Sequence, residues 1–228
     1  MNAEVVLLTG STGAVGGVVA KTLYEAGFIV VLTGRRAEEL QKLASRLGER
    51  AVPVVGSIDS EEGAARLLQD TLSQTGRLDA LVSTVGGIDP SWPALYQASE
   101  AALQNLLSMN LLGPLRIAKA AAAVLQPGSR MAFITSRGGL SPQSGPYDLS
   151  KVALQGMITI LAAELKGKGI RVNAVAPSVI LTEANKKAMP EADTRSWVRP
   201  EEIANALLYL ISSGSIGITG TTLPMFGS

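Results

Sequence analysis

The sequence predicts an α/β protein: a doubly wound parallel sheet covered by helices on both faces, three layers in α/β/α order. Three observations carry that prediction. Short aliphatic runs alternate with longer amphipathic stretches, the first run leads into a glycine-punctuated turn, and 228 residues at 46% hydrophobic content fill one core without splitting. Each parallel connection needs a crossover, and right-handed crossovers put helices outside the sheet.

Strands are predicted near Val5 to Thr9, Phe28 to Thr33, Ala51 to Val55, Ala80 to Thr84, Met131 to Thr135 and Ile170 to Val175, with helices between them. The stretch from Ser99 to Leu125 reads as one long helix interrupted by Gly113 and Pro114. A kink is expected there, because Pro114 has no amide hydrogen to give the carbonyl of Asn110. A further helix begins near Gly145. Residues 178–200 are polar and irregular, and are expected to form a substrate loop, a mobile lid over a site. The chain, 1–228, reads as one domain without repeats or a low-complexity linker.

Composition narrows the function. The net charge is +1, charged residues make up 17% of the chain, and Lys and Arg are scattered, so no footprint for nucleic acid or an anionic membrane is present. Cysteine and histidine are absent. That excludes disulfides, zinc sites of the usual ligand types and every Ser-His or Cys-His nucleophile, and no metal is expected. Proton transfer then falls to Tyr, Lys or a carboxylate. The amino terminus lacks a basic segment ahead of its apolar run, and no uncharged stretch approaches the roughly 18 to 20 residues that span a bilayer. The expectation is a soluble, cytoplasmic protein.

The first turn, Thr9-Gly10-Ser11-Thr12-Gly13-Ala14-Val15-Gly16, suits a dinucleotide pyrophosphate. Gly10 lets the chain turn sharply, Gly13 allows close backbone approach, and Gly16 lets the following helix pack on the sheet, while amides at the helix start favour an anion. Taken alone, the turn also admits an ordinary glycine-rich connection. The second strand ends Thr33-Gly34-Arg35-Arg36, with no acidic residue to accept from ribose hydroxyls. Arg35 instead offers a positive fork to a 2′-phosphate, so NADP(H) is expected over NAD(H); the alternative is a solvated arginine near a helix start.

Tyr147 and Lys151 lie one helical turn apart. A free phenol has a pKa near 10, and a cation at about 4 Å with an effective dielectric of about 20 supplies roughly the 4 kcal/mol that brings it to neutrality. Tyr147 is therefore expected to be the general acid in carbonyl reduction and the general base in alcohol oxidation, with Lys151 stabilising its phenolate and holding the nicotinamide ribose. Ser136, at the carboxyl end of a buried strand, is placed to orient a substrate carbonyl, or else simply opens the Arg137-Gly138-Gly139 loop. Asn110 is expected to hold a water leading from Lys151 to solvent, or only to satisfy the kink. Trp92, Tyr96, Met189 and Trp197 are candidate pocket contributors, although aromatic residues in loops are often packing anchors.

With these residues in view, the chain resembles the short-chain dehydrogenase/reductase family along nearly its whole length. The ordered set is specific: the glycine turn, Leu81-Val82-Ser83-Thr84-Val85-Gly86, Met109-Asn110-Leu111, Ile134-Thr135-Ser136, Tyr147-Asp148-Leu149-Ser150-Lys151, Ile170 to Pro177, Arg199-Pro200-Glu201-Glu202-Ile203-Ala204 and Ile218-Thr219-Gly220. The resemblance implies a Rossmann-type fold and an Asn-Ser-Tyr-Lys catalytic group at Asn110, Ser136, Tyr147 and Lys151. It also implies cofactor contacts from Pro177, Ile180 and Thr182, and assembly as a homotetramer or homodimer around a small carbonyl or alcohol substrate.

Departures from the family pattern stand out. Ala14 replaces the middle glycine of the usual turn. In Ser83-Thr84-Val85-Gly86, Ser83 and Thr84 stand where amide side chains normally brace the sheet and touch adenosine, while Gly86 keeps the signature's glycine, and Ser57, followed by Ile58, replaces an adenine-contacting Asp. The loop from Ser136 to Tyr147 is short, which makes Thr135 a possible substitute for Ser136. Beside the oxidoreductase reading stand a nucleotide-sensing protein without turnover, motivated by the altered 83–86 segment, and an epimerase or dehydratase, for which the chain leaves little room.

Overall fold

In the computed structural model, which describes residues 3–88, 93–137 and 145–227, the six anticipated runs form strands: β1 (Val5–Thr9), β2 (Ile29–Gly34), β3 (Ala51–Val55), β4 (Ala80–Ser83), β5 (Arg130–Ile134) and β6 (Arg171–Pro177). A seventh, β7 (Thr222–Met225), pairs with β6. Its four residues include Pro224 and show no clean alternation, which hides it from a periodicity argument. The strands pair in parallel throughout, in the order β3-β2-β1-β4-β5-β6-β7. β1 and β5 are buried along their whole length, as expected for a sheet covered on both faces.

The helices are α1 (Ala14–Glu25), α2 (Ala37–Leu47), α3 (Glu61–Thr75), α4 (Glu100–Leu107), α5 (Gly113–Ala122), α6 (Gly145–Leu165), α7 (Glu183–Ala188) and α8 (Pro200–Ile211). Two apolar layers separate them. On one face Leu67 of α3, Ile117 of α5 and Leu154 and Ile158 of α6 meet Leu7, Leu81 and Phe133 of the sheet. On the other, Val19 and Leu23 of α1, Leu40 of α2 and Leu207 of α8 meet Val6, Val30 and Val82. In α6 the buried Leu154, Ile158, Leu161 and Leu165 recur at helical spacing, and Lys151 continues that buried stripe one turn earlier. No helix among the described residues is long and apolar enough to cross a membrane.

The stretch predicted as one kinked helix is α4 and α5 joined by a π-helical turn over Ser108–Leu112. The Gly113 amide donates to the Ser108 carbonyl five residues back. Pro114 accounts for this: without its N–H the α-helical ladder fails locally, and a wider turn absorbs the defect. Residues 178–200 contain α7, capped by the Thr182 hydroxyl accepting from the Asn185 amide. The segment is pinned at its base by a parallel bridge between Ile180 and Val198 and by buried Trp197.

Because every strand runs the same way, the loops after β3, β2, β1, β4, β5 and β6 open on one edge. β1 lies between β2 and β4, so the chain reverses its order of strand addition there, and the crevice outside the carboxyl ends of the strands is where open α/β sheets take ligands.

Candidate active site

The turn after β1 is shaped by close backbone approach. Gly10 has φ +80°, and a Cβ on Gly16 would collide with the Gly10 carbonyl oxygen, so α1 starts against the turn only because residue 16 has no side chain. Gly13 is extended and no side chain caps the first turn of α1, which leaves amides from Ala14 onward suited to an anion. Ser11 points inward: its hydroxyl donates to Leu8 O (2.8 Å) and accepts from the Thr33 amide (2.9 Å), bracing β1 to β2. Thr12 is exposed.

The Thr84 hydroxyl donates to Thr9 O at 2.9 Å and to Gly10 O at 3.3 Å, and the Thr9 hydroxyl donates to Ser83 at 2.9 Å. Hydroxyls thus do the bracing for which the family pattern uses amide side chains. Arg35, just past β2, is exposed and stands 3.9 Å from the Asp59 carboxylate. The Ser57 hydroxyl accepts from the Asp59 amide, and Ile58 is buried in the core.

At the ends of β4, β5 and β6 lies a cavity of about 630 Å³. It brings together Val15, Thr84, Gly86, Ser136, Tyr147, Lys151, Pro177, Ile180 and Thr182, all anticipated from sequence. Of the four pocket candidates, Met189 lines it, Trp197 is instead buried in the core, Tyr96 is 87% exposed and Trp92 lies outside the described residues. Aromatic residues in loops gave no reliable pointer to this cavity.

Lys151 is the most constrained group here. Its side chain runs to the Gly86 backbone, where a Cβ would stand 2.7 Å from Nζ and 3.2 Å from Asn110 Oδ1. The ammonium is 4% exposed, its hydrogen bond to Ile134 O is long at 3.5 Å, and among the described residues it has no acidic partner. Its Nζ lies 5.8 Å from the centre of the Tyr147 ring. The Thr135 hydroxyl donates to Lys151 O at 3.0 Å, tying α6 to the end of β5, so Thr135 is engaged in bracing. Ser136 hydrogen-bonds with Tyr147.

Asn110 is fully buried within the π turn. Its Oδ1 accepts from the Gly87 amide (2.8 Å), and its Nδ2 donates to Gly87 O (3.0 Å) and to the Ser150 hydroxyl (2.9 Å). The side chain therefore clamps the loop after β4 to α6. Sequence reasoning passed over Gly87 and Ser150, which take these bonds, and Arg137, Asp148 and Asn185, which line the cavity. For Asp148 and Arg137 the available signal was adjacency to Tyr147 and Ser136.

Burial pushes the Tyr147 phenol above its ordinary value; the Ser136 hydrogen bond pulls it down and the Asp148 charge adds to the rise. The sequence argument made the neighbouring ammonium dominant and expected a lowered phenol. In the fold, desolvation of the phenolate is the larger effect. Burial likewise pushes Lys151 down to about 8.

A family model described as Enoyl-(Acyl carrier protein) reductase matches residues 10–227. The chain is 31% identical to the 3-oxoacyl-(acyl-carrier-protein) reductase FabG of Rickettsia bellii over 100% of this chain and 97% of that one. It is 29% identical to dehydrogenase/reductase SDR family member 4 of Oryctolagus cuniculus over 98% and 92%. A crystal structure of an actinorhodin polyketide ketoreductase variant with NADPH superposes with a TM-score of 0.88 at 26% identity, over 99% of this chain and 96% of that chain.

The Lys151 shift has a consequence for stability. Lysine in an unfolded chain titrates near 10.4, and in the folded protein this one titrates at about 8. Between those values the unfolded chain holds the extra proton, so the stability of the cofactor-free protein rises with pH across the window, by up to about 3 kcal/mol. Urea unfolding at about pH 7 and about pH 10 should show this rise in the native protein relative to Lys151→Met. Identical pH dependence in both proteins would contradict it.

Proposed function

The chain belongs to the short-chain dehydrogenase/reductase family, and from that premise we propose that it reduces a carbonyl compound to a secondary alcohol with NADPH and runs the reverse oxidation. One observation carries the reading: Ser136 and Tyr147 are hydrogen-bonded inside a cavity that also holds the buried ammonium of Lys151, which has no acidic partner among the described residues. The close-packed glycine turn and the uncapped start of α1 fit a dinucleotide, and NADPH bound there would supply the hydride.

Each residue then has a task. Ser136 donates to the substrate carbonyl oxygen and fixes its place. Tyr147, kept protonated at neutral pH by burial, gives its proton to that oxygen as negative charge develops there. The phenolate left behind is stabilised by the Lys151 ammonium, whose Nζ lies 5.8 Å from the centre of the ring. Lys151 also reaches toward the nicotinamide ribose. Asn110 acts as a positioning residue through Gly87 and Ser150. Pro177, Ile180 and Thr182 border the nicotinamide side.

Gly10 to Gly16 take the pyrophosphate, and Ser57, Ile58, Ser83, Thr84 and Gly86 border the adenosine half. Arg35 selects NADP(H) by pairing with the 2′-phosphate. Its present partner, Asp59, is exposed and 3.9 Å away, and such surface pairs are worth at most about 1 kcal/mol, so the guanidinium exchanges partners at little cost. The bracing by Thr84 keeps the turn after β1 in place despite the altered 83–86 segment, which supports turnover over a sensor role. We place the protein in the cytoplasm as a homotetramer or homodimer; exposed Leu149, Val152 and Ile160 on α6 supply apolar surface for a second copy.

Two variants test the reading. With ketones, aldehydes, quinones and ketoacyl thioesters as substrates, NADPH oxidation by Tyr147→Phe should fall by about 10²-fold or more while NADPH still binds. No turnover by the native protein despite tight NADPH binding would sink the enzymatic reading. Arg35→Asp should weaken NADPH binding by about tenfold or more and leave NADH binding intact; unchanged NADPH affinity would remove the NADP assignment.

A further inference from the structure

Arg137 follows Ser136 in the chain and lines the same cavity at an exposed position. Its amide donates to Pro177 O at 3.0 Å, which fixes the residue between the ends of β5 and β6. Its guanidinium lies 4.0 Å from the centre of the Phe226 ring. Stacking occupies the flat face of a guanidinium and leaves its in-plane N–H donors at the edge.

Arg50 provides an internal comparison. It lies over Tyr24 at 4.2 Å and also donates to Tyr24 O and Phe28 O, so its stack serves a structural knot. Arg137 has the stack without the knot: among the described residues no carbonyl or carboxylate accepts from its guanidinium. Phe226 itself stays 57% exposed, so covering apolar area does not explain the pairing.

The other charged groups lining the cavity, among the described residues, are Lys151 and Asp148, both buried in α6. Arg137 is therefore the charge an arriving molecule meets, one residue from the hydroxyl that receives its carbonyl. A planar fork with free edge donors is the partner a carboxylate fits bidentately.

We propose that Arg137, held on Phe226, determines substrate specificity, and that the preferred substrate is a carbonyl compound carrying a carboxylate, which pairs edge-on with the guanidinium while the carbonyl meets Ser136 and Tyr147. This rests on the carbonyl reduction proposed above.

The test uses two matched pairs of probes, para-carboxybenzaldehyde and its methyl ester, and acetoacetate and its methyl ester. With NADPH, kcat/KM should favour the acid over its ester by about tenfold or more in at least one pair, chiefly through KM. Arg137→Met should collapse that ratio toward one, and Arg137→Lys should retain part of it. Calorimetric binding of the acids to the NADP⁺-loaded native and Arg137→Met proteins reads the same preference without turnover.

Esters reduced as well as acids, or a preference that survives Arg137→Met, would overturn the proposal and leave carbonyl reduction standing. An equal loss of NADPH affinity in Arg137→Met would assign the arginine to the cofactor and also overturn it. Arg137-dependent binding of the acids with no turnover of any probe would support recognition and sink the reduction. Neither turnover nor Arg137-dependent binding would sink both.

Discussion

The site is organised around an ammonium that the fold buries with no counter-charge among the described residues. Lys151 is 4% exposed and has no acidic partner among the described residues. Isolated buried charges are costly, and proteins tolerate them chiefly where a ligand or a reaction uses the charge. Much of the local sequence serves this one group. Gly86 has no side chain because Nζ occupies the space, Thr135 anchors the Lys151 carbonyl to the end of β5, and Asn110 holds the adjoining loop against α6. The π turn that inserts Asn110 is itself a consequence of Pro114.

The sheet supplies the rest by topology. A parallel sheet delivers every carboxyl end to one edge, so residues distant in sequence line up as a row of loops: Ser57 after β3, Arg35 after β2, the glycine turn after β1, Thr84 and Gly86 after β4, Ser136 after β5 and Pro177 at the end of β6. The interior hydroxyls of Ser11 and Thr84 hold the turn after β1 against its neighbours. The crevice is thus preformed by backbone packing.

Most of the fold was legible because burial on both faces of the sheet leaves uninterrupted aliphatic runs, and six strands emerged within about two residues of their bounds. β7 was not, being short and carrying a proline, and neither was α7, six residues of which four are polar, inside a segment without periodicity. In the site, spacing placed Tyr147 with Lys151 and strand ends placed Ser136. What spacing could not supply was depth. Ser11 faces inward, Tyr96 faces solvent, and the phenol responds more to burial than to its neighbour, all of which depend on packing. Ser150 and Gly87 escaped for the same reason: their role exists only through the π turn.

Burial opposes the ionised forms of both Lys151 and Tyr147. The raised phenol keeps its proton at neutral pH, which is the form from which the proposed reduction starts. The most direct measurement is an NMR titration of the lysine side chains in the cofactor-free protein, with Lys151→Met identifying the resonance. The account predicts that Lys151 titrates at about 8, well below the roughly 10.4 of a lysine in a model peptide. A Lys151 that titrates near that model-peptide value would mean that its ammonium is solvated, and the organisation described for this site would be wrong.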